Sequence, residues 1–171
     1  MKYTLPLLLL LLCLSACKSV FVAEKSKQPP PESPFDPYHS VGILPKAVPS
    51  NIYIGMPREE FKQLHADQPL TEKNEQFRWT YLEEVDDPQV EAIGYYFDED
   101  PPQRLYELIV IYYSEALRDE EASTLFGVPN FDEKEWRVSR DKGFNVWSWP
   151  FKTKLIVVGM IPGTEWSEKN W

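Results

Sequence analysis

The stretch Leu105-Tyr106-Glu107-Leu108-Ile109-Val110-Ile111-Tyr112-Tyr113 decides the fold, because its large apolar side chains follow one another almost without a break. A strand with one face in water alternates apolar and polar residues, whereas a strand covered on both faces does not. This stretch therefore predicts a central strand of an antiparallel sheet with helices on one face. The other face needs a second cover, either another structural unit, the N-terminal segment or a partner.

Helix and strand patterns lie on both sides of this strand. Pro57 and the carboxylates after it predict a first helix over 57–66, with Phe61 and Leu64 facing inward. Gly127 and Pro129 end a second predicted helix over 115–126. The other predicted strands cover 76–82, 92–97, 136–140, 144–149 and 154–161.

The order of these elements suggests an internal duplication. A helix followed by three strands occurs twice, and Glu59–Leu64 aligns with Glu120–Leu125 when the chain is shifted along itself. The predicted fold class is therefore α+β, with two helix-plus-three-strand units in tandem. The predicted domain covers residues 51–171, with possible repeats over 51–113 and 114–164.

The N-terminus has the features of a bacterial export signal. Lys2 is followed by the apolar run Leu7–Leu12 and then by Leu14-Ser15-Ala16-Cys17, which resembles the lipobox of bacterial lipoproteins. The run is too short for a transmembrane helix, which needs about 20 apolar residues. We therefore expect residues 1–16 to be a signal peptide, cleavage after Ala16, and a lipid anchor on Cys17. The alternative is an ordinary signal peptide with a chance cysteine.

Residues 17–50 are predicted to be a disordered tether. This segment contains Pro29-Pro30-Pro31 and further prolines among charged and small residues, a composition that buries little apolar surface. Phe35, Tyr38, Val41 and Ile43 interrupt the pattern. The alternative is therefore that the end of this segment packs on the folded domain.

Composition excludes several functions and partners. The chain has 27 acidic against 18 basic residues, a net charge of −9, which argues against nucleic acid as a partner. It also leaves the lipid on Cys17 as the expected contact with the bilayer. The two cysteines are Cys13, in the predicted signal peptide, and Cys17. No disulfide is therefore expected in the mature domain, which must be stabilised by its core.

No residue pattern indicates catalysis. The histidines, His39 and His65, lack neighbouring ligands at metal-binding spacing, so both are expected to be solvated, with no metal and no cofactor. No nucleophile motif or phosphate-binding glycine loop is present. Acidic clusters are abundant and are interpreted as solvated charge. The alternatives are a calcium site or an acid and base pair acting on a sugar. The clusters are Glu83-Glu84, Asp86-Asp87, Asp98-Glu99-Asp100 and Asp119-Glu120-Glu121.

Aromatic residues supply the candidate binding residues, since the chain contains six Trp, nine Tyr and nine Phe. Trp79 shares a predicted strand face with Phe77 and Tyr81, and Trp147 shares another with Trp149. Tryptophan is enriched in binding hot spots, so we expect Trp79, Trp147 and Trp149 to contact a partner protein. The alternative is that these rings fill the core.

Two short motifs resemble those of a known family. Ile54–Phe61, and Leu125–Asn130 followed by an aromatic strand, are similar to the signature of SmpA/OmlA-type (BamE-like) outer-membrane lipoproteins. Tandem helix-plus-sheet units also resemble the β-lactamase inhibitor proteins. Pro57 departs from the family pattern, where a threonine starts the helix. The resemblance implies an α+β fold and the lipoprotein class. Lys18 after the cysteine implies sorting to the outer membrane, with the domain in the periplasm.

The expected function is contact rather than chemistry. We expect a non-catalytic bacterial envelope lipoprotein that binds an unidentified envelope protein, in outer-membrane assembly or maintenance. One alternative is a periplasmic inhibitor or immunity protein against a toxin or enzyme, whose acidity would suit a basic target. The other is a carbohydrate-active enzyme that uses two carboxylates.

Overall fold

A seven-stranded antiparallel sheet dominates the fold in the computed structural model, which describes residues 40–140, 144–162 and 164–167. The chain divides into two units, Met1–Pro31 and Glu32–Trp171, and every described residue belongs to the second. The predicted signal peptide, Cys17, His39 and most of the predicted tether lie outside the described residues. The elements are α1 (Arg58–Leu64), β1 (Thr71–Glu75), β2 (Arg78–Glu84), β3 (Val90–Asp98), β4 (Leu105–Tyr112), α2 (Glu115–Phe126), β5 (Trp136–Val138), β6 (Val146–Phe151) and β7 (Lys154–Gly159).

The strands lie in the order β1-β2-β3-β4-β7-β6-β5, so the stretch quoted first forms the central strand. β4 pairs with β3 on one side and with β7 on the other, and Leu108 lies opposite both Tyr95 and Val157. The two outer strands, β1 and β5, leave one edge each. All five residues of β1 are exposed, and the sequence Thr-Glu-Lys-Asn-Glu makes this edge polar. Charged side chains on an edge strand oppose pairing with another chain.

The prediction of two tandem helix-plus-three-strand units is wrong. Across the residues that the structure describes, the fold is largely β, with two short helices, and four strands follow α1 where three were expected. β1 was missed because none of its residues is buried, so it has no apolar pattern. β4 and β7 also pair through Glu107–Ile111 and Lys154–Val158, which joins all seven strands in one sheet. Periodicity identifies strands but does not say which strands pair.

The main core lies between the helices and one face of this sheet, which we call the core face. Phe61 of α1 and Ala122 of α2 belong to the same buried cluster as Tyr95, Leu108 and Val157 of the sheet. The segment before α1 joins this core through Ile43 and Val48. The backbone N–H of Lys46 donates to Glu121 of α2 at 2.9 Å, and the N–H of Ile54 donates to the Ser40 hydroxyl at 3.0 Å. Residues 40–50 are therefore packed on the domain.

The ends of the two helices show how each is positioned. α2 covers Glu115–Phe126, which confirms the predicted bounds: Ser114 accepts a hydrogen bond from the N–H of Leu117, and Gly127 ends the helix with a φ of 73°. α1 is only seven residues long and has no side-chain cap. Phe61 is buried as predicted, but Leu64 is 43% exposed, which corrects the prediction that it faces inward. His65, four residues after Phe61, occupies the inward position.

Candidate functional site

The second face of the sheet is not covered by either helix, and we call it the helix-free face. A row of apolar residues crosses five neighbouring strands on this face, as their register shows. Leu82 is 39% exposed at one end of the row, and Trp149 is half-buried at the other. Ile109 is also half-buried, whereas Gly94 and Ile156 are buried, so the accessible apolar surface of the row lies at Leu82, Ile109 and Trp149. Accessible apolar surface of this kind marks candidate sites of interaction. The row consists of Leu82, Gly94, Ile109, Ile156 and Trp149.

Three tryptophans cluster at one end of this row. The ring centroid of Trp147 lies 5.4 Å from that of Trp149 and 5.6 Å from that of Trp166, and the Trp149–Trp166 distance is 5.5 Å. These rings pack on the buried side chains of Ile156 and Val158. Such tilted and edge-to-face arrangements are the favoured geometry for aromatic pairs. The structure thus brings Trp147 and Trp149 together, as their spacing in one strand predicts, and adds Trp166.

Polar groups hold the outer side of Trp147. Its Nε1–H donates to Glu135 Oε2 at 2.8 Å. The Arg137 guanidinium lies 4.7 Å from the Trp147 ring centroid and 3.6 Å from that of Phe131. A guanidinium over an aromatic face is attracted by the ring quadrupole. Trp147 is therefore fixed in place.

A buried carboxylate lies on the same face. Glu107 of β4 is only 7% exposed, and its Oε2 accepts a hydrogen bond from Trp166 Nε1–H at 3.1 Å. Burial is the main cause that raises the Glu107 pKa to about 7, opposed by the Trp166 hydrogen bond and by the charge of Arg78. Sequence reasoning missed both residues. The signal for Glu107 was the one charge in the apolar stretch Leu105–Tyr113.

Trp79, the third predicted binding residue, lies elsewhere. It pairs with Phe97 of the core face, and the Arg58 guanidinium stacks 3.6 Å from its ring centroid. Arg58 is buried and donates to the Tyr81 hydroxyl at 2.7 Å and to Glu72 at 2.8 Å. Arg58 thereby joins α1 to β1 and β2. The structure does not place Trp79 with Trp147 and Trp149.

His65 is buried rather than solvated, which corrects the sequence interpretation. It is 6% exposed and packs against Phe61, with ring centroids 4.1 Å apart. Its Nδ1 lies 2.9 Å from the Phe61 carbonyl oxygen, and its Nε2 lies 3.8 Å from Glu83 Oε2. Glu83 also accepts a hydrogen bond from the Tyr95 hydroxyl at 2.6 Å. These contacts fix the end of α1 on the sheet.

The His65–Glu83 pair predicts a pH dependence of stability. Burial opposes the charge on His65, but the bonds to Glu83 and to the Phe61 carbonyl raise its pKa above 6.5 overall. The hydrogen bond with His65 lowers the Glu83 pKa below 4.5. Burial opposes this shift, and the hydrogen bond from the Tyr95 hydroxyl adds to it. The contribution of His65 to the free energy of unfolding is complete below pH 6.5 and is lost as pH rises through its folded-state pKa. That of Glu83 is lost only as pH falls below 4.5.

We therefore expect His65→Gln to lower the free energy of unfolding more at pH 5.5 than at pH 8.5. Urea titrations of wild type and variant at both pH values measure this difference. Glu83→Gln is the matched variant, since it removes the carboxylate partner of His65. The stability of this variant should also lose the pH dependence that the pair gives to wild type. A His65→Gln effect that is equal at both pH values, or larger at pH 8.5, would refute the charged pair.

The acidic clusters have local structural roles. Asp87 Oδ1 accepts from the N–H groups of Gln89 and Val90, and Asp98 Oδ1 accepts from the N–H of Asp100. Such bonds stabilise turns. Across residues 40–140, 144–162 and 164–167, no group of three or more His, Cys, Asp or Glu is placed to hold a metal ion.

A depression beside α2 contains two further carboxylates. Glu115 and Asp119 both line it, and each pairs with Arg118, at 3.8 Å and 2.6 Å. Each carboxylate is more than half exposed. In glycoside hydrolysis two carboxyl groups flank the scissile bond, whereas here both carboxylates are paired with the same guanidinium. This depression therefore offers little support for the alternative of a carbohydrate-active enzyme.

No family model, curated protein or solved structure matches this chain. The resemblance to SmpA/OmlA-type lipoproteins and to the β-lactamase inhibitor proteins accordingly rests on its short motifs alone. The helices of the described segments are all too short or too polar to cross a bilayer.

Proposed function

We propose that this protein is a non-catalytic bacterial envelope lipoprotein that binds a partner protein through the helix-free face. The observation that supports the proposal is the apolar row from Leu82 to Trp149, which is 39% exposed at Leu82 and partly exposed at Ile109 and Trp149, on a sheet whose other face is covered by both helices. A hot spot needs a rigid aromatic anchor with apolar surroundings, and Trp147 and Trp149 above Ile156 supply both.

The lipobox gives the proposed place of action. Leu14-Ser15-Ala16-Cys17 would place a lipid on Cys17, and the segment before Ser40 would then connect the anchor to the domain. Lys18, together with the motifs at Ile54–Phe61 and Leu125–Asn130, favours the outer membrane and a role in its assembly or maintenance.

Crosslinking and affinity capture from membranes tests the proposal. Trp149→Ala should lower recovery of the partner at least about tenfold, since hot-spot tryptophans contribute about 2 kcal/mol or more. Val128→Ala is the matched control, because Val128 is 85% exposed in the loop after α2, and α2 packs on the core face. Recovery with Val128→Ala should equal that of wild type.

The fold of each variant is checked by its urea midpoint. If Trp149→Ala folds as wild type does and captures the same partner equally well, the helix-free face is not the binding surface. Equal losses with Trp149→Ala and Val128→Ala would also reject the proposal, because exposure rather than position would then explain the effect.

A further inference from the structure

We infer that Glu165-Trp166 occupies the binding site on the helix-free face as a ligand from the same chain, and that the partner presents a segment in which an acidic residue precedes a tryptophan. This inference rests on the proposed function, since it names what that face recognises. It is carried by the contacts of the two residues and by the buried carboxylate beneath them.

Trp166 makes the contacts of a bound side chain. Its ring lies edge-on to Trp147 and tilted against Trp149, while its Nε1–H donates to Glu107. In the sheet register Val158 lies between Glu107 and Trp147, so Trp166 bridges the strands over Val158. One indole therefore satisfies both an apolar and a polar requirement of the site.

Glu165 occupies a second contact point. Its Oε2 accepts from the Tyr106 hydroxyl at 2.9 Å and lies 4.0 Å from Arg78 Nη1. The Glu165 side chain is 58% exposed, so its carboxylate lies at the rim and Trp166 at the centre. A charge at the rim contributes selectivity rather than most of the affinity. Recognition of an acidic residue directly before a tryptophan follows from this spacing.

The segment Thr164–Ser167 is held by these side chains rather than by a helix or strand. Thr164 closes a turn, since its N–H and its hydroxyl both bond to the Ile161 carbonyl. A segment attached in this way opens at lower cost than a strand of the sheet. A partner can therefore displace it without unfolding the domain.

Glu107 explains why the replacement should also be a tryptophan. Glu107 is 7% exposed, and its carboxylate receives its hydrogen bond from Trp166. If the segment leaves, a buried acceptor loses its donor, which is costly unless another donor arrives. An indole is apolar and carries one N–H, so it restores the bond and covers the rings together.

The apolar row extends beyond the self-ligand. Leu82 remains 39% exposed and Ile109 is half-buried, although Trp166 already covers the tryptophan end of the row. A partner segment that covers this part as well buries more apolar surface than Trp166 does. The additional burial gives the partner its advantage over the segment of the same chain.

The test uses the full chain in detergent and a fluorescent peptide with the sequence of residues 162–167, capped at both ends. Trp166→Ala empties the site and should bind the peptide at least about tenfold more tightly than wild type, in which the segment competes. Trp166→Phe keeps an aromatic ring but loses the N–H donor, so its own segment should also compete less well than that of wild type. This variant replaces Trp166→Ala in the test if the alanine variant does not fold. Two control peptides replace Glu165 with Gln and Trp166 with Leu, and both should bind Trp166→Ala more weakly.

Equal binding by wild type and variant, or no binding by either, would overturn the self-ligand. Equal binding of all three peptides would overturn the recognition of the acidic residue and tryptophan. A concentration-dependent dimer of wild type that disappears in Trp166→Ala would make a second copy the occupant, which also overturns the inference. If these peptide tests fail while Trp149→Ala still lowers capture of the partner, the proposed function stands without the self-ligand.

Discussion

Replacing Phe61 with alanine should lower the free energy of unfolding by about 3 to 5 kcal/mol, the usual cost of removing a fully buried phenylalanine. Phe61 is 0% exposed and joins α1 to the sheet. Its ring centroid lies 4.7 Å from that of Tyr95, 5.1 Å from Phe97 and 5.2 Å from Tyr81. Alanine would leave a cavity among large rings that cannot close around it.

Leu64→Ala is the matched control for Phe61→Ala. Leu64 lies on the same helix but is 43% exposed, so its removal should cost less than about 1 kcal/mol. Urea unfolding followed by circular dichroism gives both values. Similar costs for the two variants would mean that α1 packs differently from the structure.

Gly159→Ala is expected to cost about 2 to 3 kcal/mol, at the upper end for one added methyl group in a packed core. An alanine Cβ at this position would overlap Ile54 Cγ2 and would lie 3.0 Å from Phe144 Cδ2. Ile54 and Phe144 are both buried, so neither side chain can move away into solvent. Gly159 thus allows the segment before α1 to pack directly on β7.

Gly94→Ala provides the comparison for Gly159→Ala within the same sheet. The nearest atom to its added Cβ is Tyr96 Cε2 at 3.1 Å, on a half-buried side chain that can shift. We expect a smaller loss in the free energy of unfolding. In an Ile54→Ala background the cost of Gly159→Ala should fall, and strictly additive costs would argue against the proposed clash.

Much of the element order was predictable from the sequence, and the pairing of the strands was not. Gly127 and Ser114 bound α2 through local chemistry, which a sequence displays directly. β1 has no buried residue and was invisible to periodicity. The β4–β7 pairing brings together residues about 50 positions apart, for example Leu108 and Val157, and no local pattern specifies it. The single sheet follows from this pairing.

The candidate site was predictable only within single strands. Trp147 and Trp149 are two residues apart in β6, so their common face follows from the strand period. Which face of the sheet they occupy depends on strand pairing. The sequence therefore could not show that Trp79 lies on the other face from Trp147 and Trp149. Glu107 and Trp166 are 59 residues apart, and their hydrogen bond exists only in the folded chain.

The most direct test of the proposed binding through the helix-free face is site-specific photo-crosslinking in intact cells that produce the protein. A photoreactive residue at Leu82, exposed on the helix-free face, should give one crosslinked product with an envelope protein. The same residue at Val128, which is 85% exposed in the loop after α2, should give none. No product at Leu82, or the same product at both positions, would contradict binding through the helix-free face.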